Sequence, residues 1–236
     1  PMTLQRAQPG LAGDPFADRV VAFQPLRNGG YGALFVPGNI TGPPDGKGTF
    51  APAHLDTEVA SLHAKVGAGG SVTLEFTDNI VELGSGVDFT VFENVFFEGG
   101  DANQRFMEPA IVWVALFEDQ WYRFPIDVVP PATGTPVDLK TLKDPHYYNK
   151  GFAGRNATTS GDPTNPYASG GDSFDANELA IPGLTWIRYL KLQATGDNAM
   201  LDDVNGDPVR HTAQQGALSG GASSGFDLDA VSAVHY

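Results

Sequence analysis

The chain has 236 residues, with 14 Lys and Arg against 28 Asp and Glu, and its net charge of −14 repels nucleic-acid phosphates and anionic lipid, so no nucleic-acid partner is expected. Gly (29) and Pro (18) are abundant while charged residues are only 18%, which suits many short strands joined by turns rather than disorder. There is no cysteine, hence no disulfide or thiolate chemistry, and no apolar run approaches the roughly 20 residues of a transmembrane segment.

Residues 1–18, rich in Pro, Gly and Ala without period, are expected to lie as an arm along a single domain spanning 1–236. Pro1-Met2 does not open a signal peptide, so the chain is read as a mature or trimmed form. A first strand is expected at Arg19–Gln24, then a long loop over 26–52 carrying Asn28-Gly29-Gly30 and Gly42-Pro43-Pro44-Asp45-Gly46. Residues 56–66 suit either a short helix or a strand ending at His63. In 71–76 the alternation is clean, with Val72, Leu74 and Phe76 inward. Residues 87–94 read as a central strand covered on both sides, with Phe89, Val91 and Glu93 on one face and Asp88, Thr90, Phe92 and Asn94 on the other.

After a turn at 98–105, residues 109–117 form a buried strand paired as a hairpin with 121–126. Residues 128–183 and 195–225 read as long loop excursions flanking a strand at 185–193. The closing strand, 226–234, sends Asp227 and Asp229 to the same side. With no internal repeat and no long helix, these elements predict an all-β fold, an antiparallel β-sandwich of the jelly-roll kind with long loops and little helix.

Carboxylates inside apolar strands need partners. The set Asp88, Glu93, Asn94, Asp172, Asp175, Asp227 and Asp229 offers the oxygens that a hard cation such as Ca²⁺ requires, although Asp and Asn also cap turns. Asp203-Val204-Asn205-Gly206-Asp207 has the spacing that opens a calcium loop, but Pro208 stands where an EF-hand wants Gly. Of the five histidines, His54 and His63 could be brought together by folding and would then suit a transition metal. No Gly-x-Ser-x-Gly elbow is present, and no carboxylate pair is singled out as acid and nucleophile. Trp113 and Tyr147-Tyr148 suit core packing or sugar stacking.

Taken in order, Phe16-Ala17-Asp18-Arg19-Val20-Val21-Ala22-Phe23, Asn39-Ile40-Thr41-Gly42-Pro43-Pro44-Asp45-Gly46, Gly69-Gly70-Ser71-Val72-Thr73-Leu74-Glu75-Phe76, Asp88-Phe89-Thr90-Val91-Phe92-Glu93-Asn94, Glu108-Pro109-Ala110, Gly170-Gly171-Asp172-Ser173-Phe174-Asp175 and Gly225-Phe226-Asp227-Leu228-Asp229-Ala230-Val231 resemble a family of bacterial secreted and cell-surface proteins. That family includes the copper-binding surface proteins of methanotrophs, MopE and CorA. The resemblance implies a secreted or outer-surface β-rich domain that binds calcium and, in the methanotroph members, one copper ion held by two histidines and an oxidised tryptophan. In MopE that tryptophan precedes a ligand histidine by two residues. Here Trp113, Trp121 and Trp186 lead instead to Ala115, Arg123 and Arg188. A copper site here would therefore be arranged differently from the family's, with His54, His63 and His146 as candidate ligands and Trp113 as aromatic neighbour.

The expectation is a non-enzymatic metal-binding protein, monomeric, secreted or associated with the outer-membrane exterior, with structural calcium and a mononuclear copper capture site. A calcium-stabilised adhesive or carbohydrate-binding module without copper is the alternative, and a calcium-dependent glycan hydrolase the third.

Overall fold

The computed structural model describes residues 13–25, 31–48, 52–63, 69–130, 144, 146–195, 202–209 and 225–236. In these residues sixteen short strands follow in order: β1 (Arg19–Gln24), β2 (Ala60–His63), β3 (Ser71–Glu75), β4 (Val81–Glu82), β5 (Phe89–Glu93), β6 (Phe96–Phe97), β7 (Arg105–Phe106) and β8 (Ala110–Ala115). Then come β9 (Trp121–Arg123), β10 (Asp127–Val128), β11 (Tyr148–Lys150), β12 (Phe152–Ala153), β13 (Asp172–Phe174), β14 (Trp186–Ile187), β15 (Tyr189–Ala194) and β16 (Gly225–Ala233). The only helical pieces among the described residues are 3-10 turns at Glu98–Gly100 and Ala176–Leu179.

Two antiparallel sheets face each other. One runs β1-β3-β15-β8-β12, with β9 also on β8, and the other runs β13-β5-β16-β2. The period-2 pattern explains the packing: Val72 and Leu74, Val112 and Val114, and Leu190 and Leu192 of the first sheet meet Phe89, Val91, Leu62, Phe226, Leu228 and Val231 of the second in one core. Phe89 stacks on Phe174 at 5.1 Å and meets Phe124 edge-on at 5.8 Å, locking β5 to its neighbours. Each such side chain contributes about 1.5–3 kcal/mol by leaving water, so truncating Leu190 to Ala would cost about 2–5 kcal/mol.

The strands expected from alternation are present, and the short helix allowed for 56–66 is a turn at 56–58 leading into β2. Residues 128–183, expected as a loop excursion, differ: they contain β11, β12 and β13 and build a second core, with Tyr148, Phe152, Ile126, Val128 and Val209 packed on Ile111. Strands of two or three residues are too short to show a period, so only tertiary pairing reveals them. The end of the N-terminal arm joins the second sheet, where the Ala17 N–H donates to the Val231 carbonyl. Residues 1–12, and 196–201 and 210–224 of the second excursion, lie outside the described residues.

One corner of the sandwich matters for function. The end of β5, the start of β16 and the residues just before β8 converge there. Gly154 permits the approach: its φ is +84°, and a Cβ would lie 2.8 Å from the Glu108 carbonyl oxygen.

Candidate cation site

At that corner Glu93, Glu108 and Asp227 each place one carboxylate oxygen within 4.8 Å of the other two. Glu93 and Glu108 are 2% and 1% exposed. The position of each follows from its strand: Glu93 ends β5, Asp227 is the third residue of β16, and Glu108 stands two residues before β8. β16 pins both glutamates through its backbone. The Asp227 N–H donates to Glu93 Oε1 at 3.2 Å, and the Gly225 N–H donates to Glu108 Oε1 at 2.6 Å. Asp227 accepts from the Ser61 hydroxyl and, at 3.0 Å, from Asn94 Nδ2.

Those contacts leave a specific remainder. Glu93 Oε2, Glu108 Oε2 and Asn94 Oδ1 are buried with no hydrogen-bond donor. An unmet buried acceptor costs about 1–3 kcal/mol, and more if charged. Burial, then the charges of Asp227 and Asp172, holds Glu93 well above the usual carboxylate range. Glu108 is likewise pushed well up by burial and by Asp227 and Glu93. Burial raises Asp227 to about 6, against the pull of Ser61 and Asn94. Three clustered acids with raised pKa values, two of them with a donor-less oxygen, have two ways to become stable: hold protons, or share a cation. The spacing suits the second. Two oxygens each about 2.4 Å from a Ca²⁺ ion stand at most about 4.8 Å apart, and carboxylate and amide oxygens are its preferred ligands.

The sequence-derived acidic set is split by folding. Glu93, Asn94 and Asp227 come together. Asp88 instead accepts from the Gly84 N–H (2.8 Å) and the Ala176 N–H (2.7 Å), tying the turn before β5 to the 3-10 turn after β13. Asp172 accepts from the Arg155 and Asn156 N–H groups and from Asn156 Nδ2, so both its oxygens are engaged. Asp175 caps the 176–179 turn through the Asn177 N–H at 2.9 Å. Asp227 and Asp229, expected on the same side, serve different partners, and a register shift lies between Leu228 and Ala230. Asp229 accepts from the Asp45 and Gly46 N–H groups, and burial still raises it to about 7.

The Asp203 loop is likewise occupied from within. Asp203 accepts from the N–H groups of Val128, Asn205 and Asp207, which together outweigh burial and lower its pKa. This is an Asx-type turn with its own donors.

Of the copper candidates, His54 is exposed, with Nδ1 3.0 Å from the Pro52 carbonyl and 4.0 Å from Glu58, and His146 is exposed in the turn before β11. Neither belongs to the acidic group. The backbone of His63 pairs with Gly225, while its side chain lies outside the described residues. The Trp113 ring is attended by Arg123 and Lys191 at 5.8 and 5.5 Å, a cationic setting.

Glu108 is the member of this acidic group that residue-by-residue reading missed. Its signal was there: a carboxylate set directly before Pro109 and a strand apolar at nearly every position, the same anomaly that singled out Glu93. A pocket of about 170 Å³ lined by Leu83, Ala176, Ile181 and Leu184 shares no residue with the group. No known protein-family model matches the chain, and no curated protein aligns with it significantly.

Proposed function

We propose that this chain is a non-catalytic β-sandwich binding module whose two sheets are clasped at one corner by a hard divalent cation, calcium by preference, held by Glu93, Glu108, Asp227 and Asn94. The observation that carries the reading is the trio of donor-less buried oxygens, Glu93 Oε2, Glu108 Oε2 and Asn94 Oδ1, beside Asp227. All the ligands are oxygen, which favours calcium over copper or zinc. A setting outside the cell or on its surface agrees with this, because millimolar calcium fills even modest sites. The burial of Glu93 and Glu108 argues against a glycan hydrolase, whose acid and nucleophile must reach a sugar.

The test is calorimetric titration of chelator-stripped protein with Ca²⁺, Mg²⁺ and Cu²⁺. The expected result is one calcium per chain, bound more tightly than magnesium and lost in Glu108→Gln. Absence of calcium uptake, or uptake unaltered by Glu108→Gln, overturns the reading.

A further inference from the structure

The outer face of the first sheet presents a row of side chains in direct register across five strands: Arg123 on β9, Trp113 on β8, Lys191 on β15, Thr73 on β3 and Ala22 on β1. The residues on either side of this row along β3, β8 and β15, Val72, Leu74, Val112, Val114, Leu190 and Leu192, belong to the inter-sheet core, so the row itself points away from it. Arg123, Trp113, Lys191 and Thr73 are all partly exposed. Trp113 is anchored at the margin of the second core. Its ring has the Arg123 guanidinium 5.8 Å and the Lys191 ammonium 5.5 Å from its centroid.

Neither cation forms a salt bridge among the described residues, although the chain carries twice as many acids as bases. In the next row the acid is already taken: Glu75 pairs with Arg19. Two cations without an ion pair among the described residues, both against one aromatic ring in an otherwise acidic chain, make a local anion site. Tyr189 and Gln193, two residues either way from Lys191 on β15, add aromatic and amide groups to the same face.

We propose that this face docks an oligosaccharide in which carboxylated sugars alternate with neutral ones, the carboxylates meeting Arg123 and Lys191 beside Trp113. The physical case rests on what a sheet face offers. Along β3, β15 and β8 the backbone N–H and C=O groups are engaged in pairing on both sides, so the middle of the face lacks the edge hydrogen bonds by which an extended peptide is usually taken up. It does offer hydroxyl, amide, aromatic and cationic side chains, which suit a chain of sugar hydroxyls with occasional acids. The net charge of −14 disfavours a ligand charged at every unit, such as a nucleic acid or a polyglutamate. The face shares no residue with the Glu93, Glu108 and Asp227 group.

The experiment is calorimetry of the calcium-loaded full chain with an oligosaccharide of alternating glucuronate and N-acetylglucosamine. Its carboxyl-reduced counterpart, a polyglutamate peptide and a single-stranded oligonucleotide are run alongside. The acidic sugar should bind, its reduced form should bind at least about tenfold more weakly, and Arg123→Ala and Lys191→Ala should each weaken binding about tenfold at unchanged melting temperature. If either alanine variant melts early, Arg123→Gln or Lys191→Gln, which keep much of the stem, take its place. Glu108→Gln should bind the sugar as the parent does when both are folded, which separates this surface from the cation corner. No binding of the acidic sugar, equal binding of the reduced sugar, tighter binding of the peptide or oligonucleotide, or indifference to both cation substitutions overturns the proposal.

Discussion

Two kinds of buried carboxylate sit within this one sandwich. Asp88 and Asp172 have both oxygens supplied by donors, mainly backbone N–H groups from nearby turns, so each works as a fastener between segments. Glu93 and Glu108 have one oxygen supplied by β16 and the other left without a donor. The difference teaches that burial alone does not mark a ligand. What separates a structural acid from a candidate ligand is how many N–H groups the surrounding turns can aim at it, and the Gly84 and 155–156 turns aim theirs at aspartates.

The largest effect expected from this contrast is on calcium removal. An ion that binds only the folded state at about a thousand times its dissociation constant contributes about 4 kcal/mol, so EGTA should lower the melting temperature by about 10 °C. A melting curve that ignores EGTA would place Glu93 and Glu108 in the same class as Asp88.

Asp88→Ala comes next. It leaves the part-buried Gly84 N–H and the buried Ala176 N–H unmet and should cost about 3 kcal/mol by denaturant titration, equally with calcium and with EGTA. A calcium-dependent loss would break the contrast from the other side.

The pH dependence is a third way in. Raised folded-state pKa values mean that the folded state binds protons more tightly than the unfolded chain, so the stability they contribute is full below the ordinary carboxylate range and is lost as pH rises through the folded values. With Asp227 at about 6, Asp229 at about 7 and burial holding Glu93 and Glu108 well above the usual carboxylate range, the chelated protein should melt higher at pH 5 than at pH 8. Calcium should restore stability at pH 8, where it replaces the missing protons, and add least at pH 5. Melting scans at both pH values with and without calcium read this directly; a chelated protein more stable at pH 8 would contradict it.

The smallest effect sharpens the scale. Glu178 pairs with Lys150 at 3.0 Å, and both side chains are more than 40% exposed. Glu178→Ala should change stability by less than about 0.5 kcal/mol, since water already serves both charges. A larger loss would mean that acids outside the corner matter to the fold more than burial suggests.

Alternation and turn chemistry made most of the long strands legible: 71–75, 89–93, 110–115 and 189–194 all fall where a period of two or an unbroken apolar run put them. The short strands β11, β12 and β13 were not legible, because three residues carry no period and their partners lie far along the chain. Within the acidic set, Glu93, Asn94 and Asp227 could be selected as carboxylate and amide groups in apolar surroundings. Their separation from Asp88, Asp172, Asp175 and Asp229 could not, since it depends on which loop N–H groups arrive beside each one.

By itself the order of residues decided the all-β class, the main strands and a surplus of acids in places where acids are costly, because side-chain alternation and desolvation are local properties. Only the tertiary structure decided that Glu108 completes the corner, that Asp229 does not, and that Arg123, Trp113 and Lys191 stand in one row. Those outcomes depend on the register between strands more than a hundred residues apart in the first two cases, and on the stacking of β9, β8 and β15 in the third, and no local pattern encodes either.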